Sequence, residues 1–125
     1  MDVSEVSGGA GPDRSRNARG RWGERLAATH YERLGYQVVD RNWRSPTGEL
    51  DLVLRAGRTY VFSEVKARRT DRYGPPALAV DAAKQRRIRT LAVEWLVAHG
   101  VAHVDLRFDV VAITGNVVRL YEAAF

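Results

Sequence analysis

Gly48-Glu49-Leu50-Asp51-Leu52-Val53-Leu54-Arg55-Ala56-Gly57-Arg58-Thr59-Tyr60-Val61-Phe62-Ser63-Glu64-Val65-Lys66 is the stretch that decides the fold. Two apolar runs, Leu52-Val53-Leu54 and Tyr60-Val61-Phe62, flank a tight turn at Ala56-Gly57 and read as a β-hairpin. Side chains alternate faces along a strand, so Glu64 and Lys66 point the same way. A two-residue turn at Ala56-Gly57 sets Arg55 opposite Arg58 and Asp51 opposite Phe62, with Glu64 on the diagonal. A longer turn sets Asp51 directly opposite Glu64. In both registers Asp51, Glu64 and Lys66 share one face, while Leu50, Leu52, Leu54, Val61 and Val65 share the other.

The acids need a reason to sit together. Two carboxylates at cross-strand distance raise one another's pKa unless a cation lies between them. Hard oxygen ligands at that spacing suit Mg²⁺ or Mn²⁺, which binds through one or two carboxylates plus waters and phosphate oxygens. Such an ion activates a bound water, and the nearby Lys66 would orient that water or offset charge building on phosphorus. The plain alternative is a surface hairpin with solvated charges.

Composition bounds the rest. At 125 residues the chain is one domain with room for a core. It has no cysteine, which removes disulfides and thiolate metal sites and fits a cytoplasmic location. No apolar run is long enough to span a membrane, and no signal-peptide core follows the start. The net charge is +5, with 20 Lys plus Arg against 15 Asp plus Glu, and Lys66 and Lys84 are the two lysines. A basic chain points to a polyanion such as nucleic acid. The sparing use of lysine suggests that it stands where a compact ammonium is needed.

Residues 1–18 read as a disordered tail, small, polar and Gly-rich, leaving 19–125 as the folded domain. A helix is expected from near Arg19 to Leu34, stopped by Gly35, with Ala27, Ala28, Tyr31 and Leu34 inward. Glu24 falls on that inward side, either as an acid needing a partner or as a helix N-terminal Glu favoured by the macrodipole. Tyr36 to Trp43 reads as a strand. The stretch from Arg68 to Pro76 reads as a loop whose Arg68, Arg69, Arg72 and Tyr73 suit phosphates and base stacking, or simply water. A second helix starts after the N-cap Asp81, ends near Ala98 and buries Ile88, Leu91, Ala92 and Trp95. Lys84 lies one turn before Ile88, as a snorkelling residue or a phosphate contact. Two strands close the chain. In the first, Asp109 is a further acid or a buried partner of Arg107 or of a backbone group. The order α-β-β-β-α-β-β predicts an α/β domain with a central mixed sheet flanked by helices. Phosphate loops, a nucleophile-elbow serine and a helical His-Glu-x-x-His are absent, and His30, His99 and His103 lack metal-ligand spacing.

An ordered set of short matches carries a resemblance. It comprises Gly23-Glu24 with Ala27, Gly35-Tyr36, Arg41-Asn42, Gly48-Glu49-Leu50-Asp51-Leu52, Val61-Phe62-Ser63-Glu64-Val65-Lys66 with Arg68, Gly74, Lys84 and Arg107-Phe108-Asp109-Val110. An acid in the first helix, an Asp in the second strand and Glu-x-Lys in the third resemble the PD-(D/E)xK nuclease superfamily, with its restriction-endonuclease-like core. More closely, the chain resembles the YraN-like family of small bacterial proteins, similar in fold to archaeal Holliday junction resolvases. The resemblance spans about Gly20 to Tyr121. Ser63 departs from it, standing where a valine is expected.

The resemblance implies roles. Asp51 and Glu64 would hold Mg²⁺ or Mn²⁺ with the Val65 carbonyl. Lys66 would position or activate water, and Glu24 would complete the acid cluster, with Glu49 in support. Arg41, Arg68 and Lys84 would contact phosphates. The implied activity is a Mg²⁺-dependent endonuclease on DNA, including branched or damaged DNA. The alternative is a non-catalytic nucleic-acid-binding module on the same fold. A junction cutter acts on two symmetric strands, so a homodimer is expected, with Trp43, Trp95 and Phe125 as its candidate surface if exposed.

Overall fold

The computed structural model describes residues 12–68 and 80–125, with side chains from residue 20 onward. Helix α1 (Pro12–Arg33) is followed by strands β1 (Gln37–Ser45), β2 (Gly48–Ala56) and β3 (Thr59–Arg68). Helix α2 (Ala82–Ala98) and strands β4 (Asp105–Thr114) and β5 (Val117–Tyr121) complete the chain. This is the expected α/β order. The strands form one mixed sheet in the order β1-β2-β3-β4-β5. The β3–β4 pair is parallel and the others antiparallel. Parallel neighbours need a long crossover, and α2 supplies it.

The helices cover opposite faces of the sheet. Ala27, Ala28 and Tyr31 of α1 pack with Leu52, Leu54, Val61, Val111 and Ile113. Ile88, Leu91, Ala92 and Trp95 of α2 pack with Leu50, Val53, Tyr60, Phe62, Phe108 and Val110. The central strands are therefore apolar on both faces, as a sheet sandwiched between helices requires. Helix α2 matches its expected stripe and cap, with the Asp81 side chain accepting from the Lys84 N–H at 2.8 Å.

Four expectations need adjustment. Helix α1 begins at Pro12 rather than near Arg19, since proline is well placed in a first helical turn. The remaining tail, 1–11, lies outside the described residues, as do Arg69, Arg72, Tyr73 and Gly74. Leu34 is 54% exposed, because Gly35, at φ +95°, has already turned the chain away and Tyr36 N–H closes back onto the Tyr31 carbonyl. Leu50 packs with the α2 cluster, not with Leu52. Its cross-strand partner Trp43 turns the same way, next to Asn42, whose positive φ of 52° breaks the alternation of β1. Trp95 is fully buried and Trp43 and Phe125 are packed against the core, so none of the three offers an open dimer surface. Among the described residues, no helix is long and apolar enough to cross a membrane.

Candidate functional site

The β2–β3 turn is Gly57-Arg58, one residue later than Ala56-Gly57, with Ala56 opposite Thr59. The ladder runs down to Leu52 opposite Ser63, and one further step faces Asp51 with Glu64. There the main-chain pairing gives way. The Asp51 carboxylate, rather than a backbone carbonyl, accepts the Val65 N–H at 2.8 Å. A strand residue directs its N–H and C=O to the same edge, so the Val65 carbonyl also opens toward Asp51.

This separation of strands forms a cleft of about 390 Å³ lined by Gly20, Glu24, Asp51, Glu64, Val65, Lys66, Ala67 and Lys84. Three elements besides β2 bring these residues together. Strand β3 contributes Glu64 and Lys66 on one face. The first turn of α2 contributes Lys84. Helix α1 contributes Glu24 because Gly23 beside it lets the helix lie close on the sheet: a Cβ at Gly23 would stand 2.9 Å from the Ala67 Cβ.

The electrostatics are those of an acid pair whose two neighbouring lysines both address Glu64. Asp51 and Glu64 hydrogen-bond one another. Burial, together with the Glu64 charge, pushes the Asp51 carboxyl well above its ordinary range. Burial acts upward on Glu64 as well, but the hydrogen bonds from Asp51 and Lys84 outweigh it and hold Glu64 low. Within the pair the proton is therefore favoured on Asp51 and disfavoured on Glu64. Lys84 is ion-paired directly to Glu64, and Lys66 Nζ lies 3.6 Å from the same Oε2. Burial and the adjacent Lys84 ammonium lower the Lys66 pKa. Burial acts downward on Lys84 too, but its bond to Glu64 prevails and raises it.

Glu24 lies on the rim of this cluster. Burial raises its pKa, against a hydrogen bond from Asn42, with the Glu49 charge adding to the rise. Asn42 was matched in the sequence without a role. Its left-handed backbone and its bond to an acid of a distant helix emerge only in three dimensions. Arg41 is exposed and acts on Glu24 through its charge. Glu49 is paired with Arg44 at 2.9 Å. Neither Arg41 nor Arg68 lines the cleft, although Arg68 follows Lys66 by two positions on β3.

Asp109 does not join the acids. It is fully buried and takes two hydrogen bonds from Arg107, at 2.9 and 2.8 Å, and one from the Ala123 N–H. Tyr31 Oη lies 2.8 Å from Asp109 and 2.9 Å from Ser63. Ser63 therefore replaces an apolar contact with a place in a buried polar chain.

The donors suit a hard divalent ion: two carboxylates, one carbonyl edge and a cleft with room for the ion's own waters. Among the described residues there is no group of three or more His, Cys, Asp or Glu side chains arranged around one point. The fit is thus to an ion that needs one or two carboxylates and keeps its waters, as Mg²⁺ and Mn²⁺ do.

A family model described as "Uncharacterised protein family UPF0102" matches residues 23–113. A UPF0102 protein of Geobacter sulfurreducens is 54% identical over 92 residues, covering 74% of this chain and 72% of that protein. One from Rhodococcus jostii is 55% identical over 96 residues, covering 77% and 81%. One from Acidothermus cellulolyticus is 46% identical over 114 residues, covering 83% and 86%. The matched span opens at Gly23, beside the rim acid, and takes in every acid and lysine of the cleft.

Proposed function

The chain belongs to the UPF0102 family, the YraN-like group its sequence resembles, and we propose that it is a Mg²⁺- or Mn²⁺-dependent endonuclease of the PD-(D/E)xK type acting on DNA. One observation carries this reading. A half-buried Asp51 and a buried Glu64, hydrogen-bonded to one another, share an open cleft with Lys66 and Lys84 where two strands part. A structural ion pair would call for one lysine, not two converging on one carboxylate oxygen beside a second acid.

Asp51, Glu64 and the Val65 carbonyl would hold the ion. When bound, it would lower the pKa of a coordinated water and shield the phosphate charge. Lys66 orients the attacking water; its lowered pKa eases loss of its own proton, and the neutral amine then takes the water's proton as oxygen bonds to phosphorus, the bridging P–O bond breaks and the leaving oxygen is protonated from solvent. Glu24, held by Asn42, adds negative potential at the rim. Lys84, Arg41 and Arg68 supply positive charge for the DNA backbone, and the net charge of +5 supports a polyanionic partner.

The test is cleavage of supercoiled and branched DNA with Mg²⁺ or Mn²⁺ by wild type, Asp51→Asn, Glu64→Gln and Lys66→Met. The expected result is metal-dependent cutting by wild type and loss of at least about 100-fold in each variant, with DNA binding retained. Wild type that binds DNA and never cuts, across both metals and substrates, would establish the non-catalytic module instead.

A further inference from the structure

We propose that Lys84 is a resident cation, holding Glu64 in the metal-free protein, yielding that carboxylate to the divalent ion and taking a DNA phosphate in exchange. This rests on the metal-dependent reading above. It adds that metal and DNA bind cooperatively through one side chain.

The argument starts from crowding at one atom. Lys84 and Lys66 both address Oε2 of Glu64, and the two ammoniums lie against each other. One carboxylate oxygen cannot serve a divalent ion and an ammonium with equal strength. The cation with the freer side chain leaves. Lys66 stands on β3 beside Glu64, whereas Lys84 reaches across from α2 with its side chain 31% exposed against 24% for Lys66. Its backbone stays fixed, because the Lys84 N–H is bonded to the Asp81 cap, so only the flexible stem need move. The first turn of α2 carries no acidic residue, and the carboxylate of its cap, Asp81, is already engaged by the Lys84 N–H. The open side of the cleft remains, where a phosphate bound to the same ion would lie. A lysine that served merely to clamp α2 to the sheet would make the opposite prediction, since its loss would loosen the helix without favouring metal.

Linkage is reciprocal, so the effect is readable from either ligand. Mn²⁺ alone is titrated into wild type, Lys84→Met and Lys84→Gln, with free Mn²⁺ followed by electron paramagnetic resonance. Circular dichroism confirms that each variant is folded. Binding of a labelled DNA duplex is measured by anisotropy with and without Mn²⁺, on ice and before turnover. Lys84→Met or Lys84→Gln is expected to bind Mn²⁺ about fivefold tighter than wild type in the absence of DNA. Mn²⁺ is expected to strengthen duplex binding about fivefold in wild type and not in the folded variant. Equal or weaker Mn²⁺ binding by a folded variant, with wild type still binding the ion and cutting DNA, overturns the exchange and leaves the endonuclease reading intact. Absence of Mn²⁺ binding in every protein overturns both.

Discussion

At Asp51, burial and the Glu64 carboxylate both push proton affinity upward from the ordinary value of 3.8. Below 3.8 the acid is protonated whether the chain is folded or not, and its contribution to stability is fully present. As pH rises toward the elevated folded-state value, the unfolded chain releases this proton first, so the metal-free protein loses stability through that window. Asp51→Asn keeps an oxygen for the Val65 N–H and removes the titration. It is expected to stabilise the metal-free protein at neutral pH by about 1 kcal/mol and to flatten the pH dependence of its melting temperature. Thermal scans of both proteins from pH 4 to 8 in a chelator would check this, and equal slopes would refute it. Asp109 should behave oppositely. Asp109→Ala strands Arg107 and removes the acceptor of Tyr31, at a cost of about 3 kcal/mol measurable by urea denaturation. Both acids are visible in the sequence, and for Asp109 the alternative of a buried partner of Arg107 or a backbone group is the one that holds. Asp51 stands in a hairpin whose alternation places it beside Glu64 and Lys66. The surroundings of Asp109 come from Tyr31 and Ala123, distant along the chain, and the part played by Asn42 depends on a backbone angle that no side-chain pattern encodes.

The elements most legible in the sequence were those whose burial follows a simple period. Helix α2 has a clear cap and a four-residue inward stripe, and both hold. The hairpin β2–β3 was recognised by its apolar runs, yet its turn falls one residue later because Gly57, at φ +60°, supplies the left-handed position. The inward side of α1 was read through Tyr31, but the closeness of its approach was not, since that depends on what Gly23 meets across the interface. Gly23→Ala gains about 1 kcal/mol of helix propensity. It also forces a methyl to within 2.9 Å of the Ala67 Cβ, and overpacking costs about 1–3 kcal/mol. The net expectation is a loss of about 1 kcal/mol in chemical denaturation, with cleavage reduced further than stability because Glu24 moves with the helix. Cleavage unchanged in a destabilised Gly23→Ala protein would separate Glu24 from the chemistry. Removing the α2 cap by Asp81→Ala should cost about 1 kcal/mol by the same measurement.

For the molecule as a whole, the positive excess of five charges predicts that DNA affinity falls steeply with salt, as released counterions require. Anisotropy titrations between 50 and 200 mM KCl should show about a tenfold loss or more, and a salt-independent affinity would place recognition elsewhere than the phosphates. The layered architecture followed from the order of elements, because three consecutive strands and a helical crossover allow few arrangements. The parallel seam between β3 and β4 also sets an order of events in time. The meander β1–β2–β3 closes through short local turns, whereas β4 must wait for the whole crossover to be paid out and docked. Asp51 and Glu64 belong to the early piece and Lys84 to the late one. A nascent chain that ends before α2 therefore carries two opposed carboxylates with Lys66 as their near counterion. Pulsed hydrogen exchange during refolding should find amides of the β2–β3 hairpin protected ahead of those in β4. Assembly would then finish at the cleft, when Lys84 arrives beside a carboxylate already in place.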